Sequence, residues 1–582
     1  MQHAIGEHAL LADSRTAALI DPGGGVAWCC WPRFDSPPLF MPILDDTDGG
    51  EFSLRPAGAA SLESRAYVRD SLVLRTVWRQ GAARLTVDEA LLLEEHPTLL
   101  RAMRSDGGAV IVQVRVRPAI PNAPHGLQLR DELLVVGEPA RAQVAAPARW
   151  SLNAEGGVCR FSVAPGRTEH VMLAGAGAPL PTAATETIER TVRRWRARVA
   201  PAHTAALRAD AVRVLGHDRC RELVAVSAAV LSGLRYEGGG IVAAPTTSLP
   251  QWPRSARCWD YRYCWLRDAA LAGGAMLRLG LVDTAHALGE FIGGVVAEDG
   301  VRPLVRVDGT AAPAERTDPG LAGYRGARPV RFGNAAADQL QLDVAGEVLE
   351  FAFALARADA LPGSLAAAVQ PLAAWIAGRW DAPDHGIWEI RGAPRQYTHS
   401  RVMAWLGLER AARLAGRGLA RGDAPAWQGL AENIRAAVLP AGGAALQLHP
   451  TGGGADAALT LAVQNGFLDP AAPEAAATLD LIARELDDSG LLQRYRGSRD
   501  LLADPCAPFV FPTFWMSTAE AEAGRDGTRW LEAAVSASSP LGLFGEVRDP
   551  QSGGPLGNFP QVQSHAALLG TITGPGAVRV PL

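Results

Sequence analysis

No lysine occurs among the 582 residues; all 56 basic side chains are arginine. That absence removes whole reaction classes. A Walker A loop sets a Lys on the nucleotide phosphates, and a Schiff-base enzyme needs a Lys amine. A GC-rich genome favouring arginine codons is enough to produce such a bias. Cysteine is sparse as well. Cys29, Cys30, Cys159, Cys220, Cys258, Cys264 and Cys506 form an odd, scattered set without a C-x-x-C pair, the pattern of buried free thiols in a reducing compartment. The twelve histidines include no H-E-x-x-H and no Cys/His cluster at metal spacing, which argues against a zinc site. There is no G-x-S-x-G elbow either. The opening MQHAIGEHALLADSRT carries acids and lacks the basic and apolar regions of a signal peptide, and no apolar run is long enough to span a bilayer. A cytoplasmic protein without a membrane partner is the expectation. A net charge of −5 and a pI near 6.2 give no electrostatic reason to expect nucleic acid as a partner.

What is present reads as two kinds of structure. In residues 1–180, LTVDEALLL, AVIVQVRVRPAI, LQLRDELLVVG and VCRFSVAPG are short β-branched runs, several alternating, broken by Gly, Pro and Asp turns. Such spacing predicts an antiparallel β-sandwich. Within 181–215, TAATETIERTVRRWRARVAP has early acids, late arginines and a closing Pro, the marks of a helix. It is expected to link the domains. From 216 to 582 apolar residues recur at helical spacing in about a dozen segments, from RELVAVSAAVLSGL to SHAALLGTI. A dozen helices in pairs suggests a toroid of inner and outer helices, with its site where the inner connections converge.

Three connections carry chemistry. ARCWDYRYCWLRDAAL sets Arg267 and Asp268, a donor fork beside an acceptor pair, among Trp259, Tyr261 and Trp265. That combination suits sugar hydroxyls and sugar faces; the same residues could equally form a buried ion pair in an aromatic cluster. HGIWEIRGAPRQYTHSRVMAW places Glu389 beside Trp388 between Gly386 and Gly392. An apolar neighbour raises a carboxyl pKa and makes a general acid usable near neutrality. LGLFGEVRDPQSGGPLGNFPQVQSHAALL holds Glu546 in a turn-rich stretch before the last helix. The two glutamates are far apart in the chain and can meet only through the fold. Inverting glycoside hydrolysis needs such a pair, about 6.5–9.5 Å apart, one as acid and one as base. GGGIVA at 238–243 loosely fits a dinucleotide loop but follows a helix rather than a strand.

These segments resemble glycoside hydrolase family 15, the glucoamylase family with its bacterial trehalase-like branch. The matching motifs are GVAWCCWPRFDSPPLF at 25–40, GGIVAAPTTSLP at 239–250, WDYRYCWLRDAAL at 259–271, GYRGARPVRFGNAAADQLQLDVAGEVL at 323–349, GIWEIRGAPRQYTHSRVMAW at 386–405 and LGNFPQVQSHAALL at 556–569. They run in family order along almost the whole chain. The resemblance implies a β-sandwich followed by an (α/α)6 barrel, and an inverting, exo-acting α-glucosidase without an organic cofactor. It implies Glu389 as general acid and Glu546 as general base. Arg267 and Asp268 would hold the terminal glucose, with Trp265, Tyr261 and Trp388 lining the site and Arg496 reaching the second sugar.

Ile390 and Val547 stand where relatives carry second acids, Ala345 where the bacterial branch has Tyr, and Gln563 where an aromatic is expected. The segment DPCAPFVFPTFW also lacks the Glu-Gly of that branch. These departures bear on the leaving-group side and so on the substrate. The leading expectation is release of β-glucose from the non-reducing end of short α-gluco-oligosaccharides. The alternative is an α,α-trehalase, and the second alternative a non-catalytic sugar-binding protein on the same scaffold.

Overall fold

The computed structural model describes residues 2–574 except 120–125, 131, 138–139, 498–501 and 503. The last eight residues, expected to end the barrel, and the end of the QRYRGSRD segment therefore lie outside the described residues. The amino-terminal part is built from three antiparallel sheets. In Val110–Arg117 the valines at 110, 112, 114 and 116 are buried while the residues between them are exposed or half-buried. That is the two-residue period of a strand with one face on a core. This strand lies between Glu51–Pro56 and Gly156–Val163 in a four-stranded sheet. Its valines share one core with Leu85, Val87, Leu99, Val171 and Leu173 of a facing eight-stranded sheet, which makes a β-sandwich.

A second four-stranded sheet, Ala9–Ala12, Ala17–Ile20, Val26–Cys30 and Pro38–Phe40, is buried on both faces. Ala9, Leu11, Ala18 and Ile20 join the sandwich core, whereas Leu10, Ala12, Leu19 and Trp28 join the core of the helical part. Double-sided burial explains the unbroken apolar composition of these strands.

The described residues hold fourteen α-helices. α1 (Ala184–Val199) lies in the 181–215 stretch expected to link the domains, and it is packed: Trp195 is fully buried, and the helix lies against the eight-stranded sheet and α3. After α2 (Ala209–Leu215) and α3 (His217–Leu234) come α4 (Leu266–Arg278), α5 (Val282–Asp299), α6 (Asp343–Arg357), α7 (Gly363–Ala377) and α8 (Thr398–Gly416). They are followed by α9 (Ala424–Val438), α10 (Thr460–Gln464), α11 (Pro473–Leu486), α12 (Val510–Glu522), α13 (Thr528–Ser536) and α14 (Val562–Ile572). α4, α6, α8, α10, α12 and α14 form an inner ring that α14 closes on α4; between α8 and α10 the contact runs through the 3-10 turn Ala457–Leu459 that leads into α10. α5, α7, α9, α11, α13 and α3 pack outside them, giving the (α/α)6 toroid. Close approach in the ring requires small residues. At Gly346 of α6 a Cβ would lie 2.3 Å from the Met403 carbonyl oxygen of α8, so only glycine fits. The connections entering the N-terminal ends of the inner helices converge on one pocket.

Candidate active site

Within WDYRYCWLRD the polar residues divide by role. Asp260 and Arg262 pair with each other through two hydrogen bonds of 2.9 and 2.7 Å, and Arg262 also donates to the Ser36 carbonyl of the amino-terminal part. They brace the wall. Arg267 and Asp268 open α4 and reach the pocket. The buried Arg267 guanidinium is a hub: Nε donates to Asp268 (3.3 Å), Nη1 to Gln341 (3.1 Å) and Asp343 (3.3 Å), and Nη2 to Glu389 (3.1 Å). Burial disfavours its charge, but Asp268, Asp343 and Glu389 more than offset this and hold it protonated. Burial pushes the Asp268 carboxyl up to about 6 against the pull of Arg267. The single 3.3 Å bond from Arg267 leaves further acceptor positions on Asp268, which lines the pocket.

Glu389 sits in a turn between α7 and α8 with its own φ at 55° and Gly386 at 64°. Left-handed backbone at a non-glycine residue is costly and persists where the surroundings fix it. The Glu389 N–H donates to the Gly386 carbonyl, and Gln339 donates to the Glu389 carbonyl. The carboxylate is 21% exposed. Its Oε1 accepts from the Trp265 indole N–H at 2.6 Å and from Arg267, leaving Oε2 without a partner among the described residues. The indole on this carboxylate is thus Trp265, acting as a donor, and not the neighbouring Trp388 acting as an apolar cover. Trp388 instead donates to Asp456 at 2.8 Å and packs on Phe509 and Phe511.

Glu546 is buried, and both of its oxygens are held. Oε1 accepts from the Tyr261 hydroxyl at 2.8 Å and Oε2 from the Gln251 amide at 2.6 Å. Burial pushes its carboxyl up to about 7, partly opposed by Gln251, Tyr261 and Arg494. Tyr261 and Trp265 meet edge to face at 5.5 Å, so an aromatic bridge joins the two glutamates: Glu546, Tyr261, Trp265, Glu389.

The pocket is lined by Tyr261, Trp265, Arg267, Asp268, Trp388, Glu389 and Glu546, so the fold brings these expected residues together. Arg496 is the exception. It is exposed, with Nε donating to the Glu485 carbonyl, while Arg494, two residues earlier, lines the pocket over Trp388 and Phe509. A two-residue slip in an irregular loop moves a side chain from solvent to cavity. Trp259 also departs from the role of a bare sugar platform, since the guanidiniums of Arg331 and Arg391 lie over its ring at 4.5 and 4.0 Å. Sequence reasoning missed Gln251, Gln341, Asp343 and Arg494. Of these, Asp343 alone carries a readable signal, as the acid opening a helix inside a matched motif.

All seven cysteines are unpaired, six of them buried and Cys506 half-buried. Among the described residues no helix is long and apolar enough to cross a membrane, and no group of three His, Cys, Asp or Glu side chains could hold a metal ion.

Residues 1–198 match the domain described as Trehalase-like, N-terminal. Over 622 residues the chain is 32% identical to a protein named Trehalase from Mycobacterium tuberculosis, covering 98% of this chain and 89% of that one. A Trehalase from Mycolicibacterium smegmatis is 32% identical over 98% of this chain and 90% of its own length. Trehalase 1 of Sulfolobus acidocaldarius is 28% identical with 96% of each chain covered. A solved bacterial glucoamylase, complexed with acarbose, superposes with a TM-score of 0.67 over 98% of this chain and 93% of its own at 14% identity, a likeness of fold. Residues 219–573, which contain the pocket, match Glycosyl hydrolases family 15, so the chain belongs to that family and is a glycoside hydrolase.

Proposed function

We propose that the chain is an α,α-trehalase that works with inversion, Glu389 as acid and Glu546 as base. The observation carrying this reading is identity along the full length, both domains included, to proteins named trehalase. This replaces short malto- or isomalto-oligosaccharides as the leading substrates.

In this reading Arg267 and Asp268 hold the glycone. Glu389, protonated at the otherwise unpartnered Oε2, gives its proton to the glycosidic oxygen as the C1–O bond breaks. Water attacks C1 from the opposite face and yields its proton to Glu546. Tyr261 and Gln251 fix the base, and the aromatic bridge sets its position relative to the acid. When glucose release is compared across trehalose, maltose, isomaltose, kojibiose and maltotriose, trehalose is expected to have the highest kcat/KM. Proton NMR of early turnover should find α- and β-glucose in equal amounts, because one anomeric carbon inverts and the other leaves unchanged. Initial formation of α-glucose alone would exclude inversion.

The pH profile follows from Glu546. A base must be ionised, and burial holds this one at about 7, so kcat/KM should fall as pH drops through about 7. Tyr261→Phe removes a donor to the charged form and should move that limb upward by about one pH unit. A limb unmoved by Tyr261→Phe would take Glu546 out of the base role.

A further inference from the structure

Three glutamines line the pocket, and two are committed within the chain. Gln251 donates to Glu546, and Gln561 caps α14 by accepting from the Ser564 N–H and hydroxyl. Gln563, in the first turn of α14, differs. It is 5% exposed, and its amide Nε2 is buried without a hydrogen-bond partner. A buried amide N–H left unpaired is costly, so such a donor implies a partner that arrives from elsewhere.

Its position narrows the choice. At the opposite end of the toroid, between the C-terminal halves of inner helices, lies a second cavity. Among the described residues, Gln563 is the one side chain lining both this cavity and the pocket that holds Arg267, Asp268 and the two glutamates. It is therefore the partition between them and forms the floor of the pocket. Arg267 and Asp268, the groups suited to sugar hydroxyls, line the same pocket.

We propose that the Gln563 amide is a specificity-determining donor to one hydroxyl of the glucose unit seated in the pocket. This deepens the trehalase reading and rests on that reading for the identity of the sugar. The chemistry recognised is a polyol presenting an acceptor oxygen toward the barrel floor. An amide donor discriminates well there, because a sugar lacking that hydroxyl strands the same N–H in a dry site.

The test pairs a change in the protein with a change in the ligand. Glucose and its 2-, 3-, 4- and 6-deoxy analogues are titrated calorimetrically into the wild type and into Gln563→Met, which keeps the volume and removes the donor. Gln563→Leu serves if the Met variant melts early. Trehalose turnover is followed alongside. At one hydroxyl position the wild type should lose about tenfold in affinity on deoxygenation. Gln563→Met should lose about tenfold on glucose itself and nothing further on that one analogue. If the two losses multiply at every position, the amide donates elsewhere, such as to water of the rear cavity, and the proposal is overturned. Glucose binding without trehalose turnover would instead sink the trehalase reading and leave this test intact. A wild type that binds no glucose overturns both.

Discussion

Glu389→Gln is expected to lower kcat for trehalose about 10³- to 10⁴-fold while leaving glucose affinity within a few-fold of wild type, the scale of losing a positioned proton donor. The amide keeps the shape of the carboxyl. It can still accept from the Trp265 indole and from Arg267, so the hub around α4 survives. In the proposed acid role, what is lost is a transferable proton at Oε2, the oxygen that no described residue engages. The split between kcat and binding is the diagnostic feature, because an interaction made only in the transition state lowers kcat and kcat/KM together. Turnover at the wild-type rate by this variant would remove Glu389 from the acid role.

The largest effect on stability is expected at Arg267. Its guanidinium is buried among Asp268, Asp343 and Glu389, so Arg267→Met leaves three carboxylates facing one another in a dry pocket. Breaking a buried charge network by removing one partner costs about 3–5 kcal/mol. The sign of the pH dependence follows from the same contacts. Without the cation the Asp268 and Asp343 carboxyl pKa values, already raised by burial, rise further above their unfolded values. The folded state then binds more protons, and stability is lost as pH rises through those values. The deficit, measured by urea unfolding, should therefore be larger at pH 8 than at pH 5. An equal deficit at both would mean that the carboxylates have other partners.

How legible this molecule is in its sequence depends on period and length. Val110–Arg117 is plain because one face is wet and the other dry, which prints an alternation. The long inner and outer helices are plain for the equivalent reason at helical spacing. The sheet of Ala9–Phe40 escapes detection because a strand buried on both sides shows no alternation. α10 escapes because five residues are shorter than two helical turns; it is helical through its neighbours in the ring rather than through its own pattern. The site divides in the same way. Residues in motifs that lead directly into a helix, such as Arg267 and Asp268, can be placed from sequence. Gln251 and Arg494 lie in irregular connections whose side-chain directions only tertiary contacts decide, and the slip from Arg494 to Arg496 is the cost of reading such a loop.

The twice-buried sheet ties the candidate pocket to the amino-terminal sandwich. Trp28 in its third strand donates to the Pro245 carbonyl, just ahead of the segment carrying Gln251, and Arg262 reaches back from the pocket wall to Ser36. The two interiors thus share a party wall, and neither domain has a finished surface on that side. A cut between them would strip two hydrophobic faces at once, so the amino-terminal domain is better regarded as the foundation under the candidate pocket than as an accessory hung beside it.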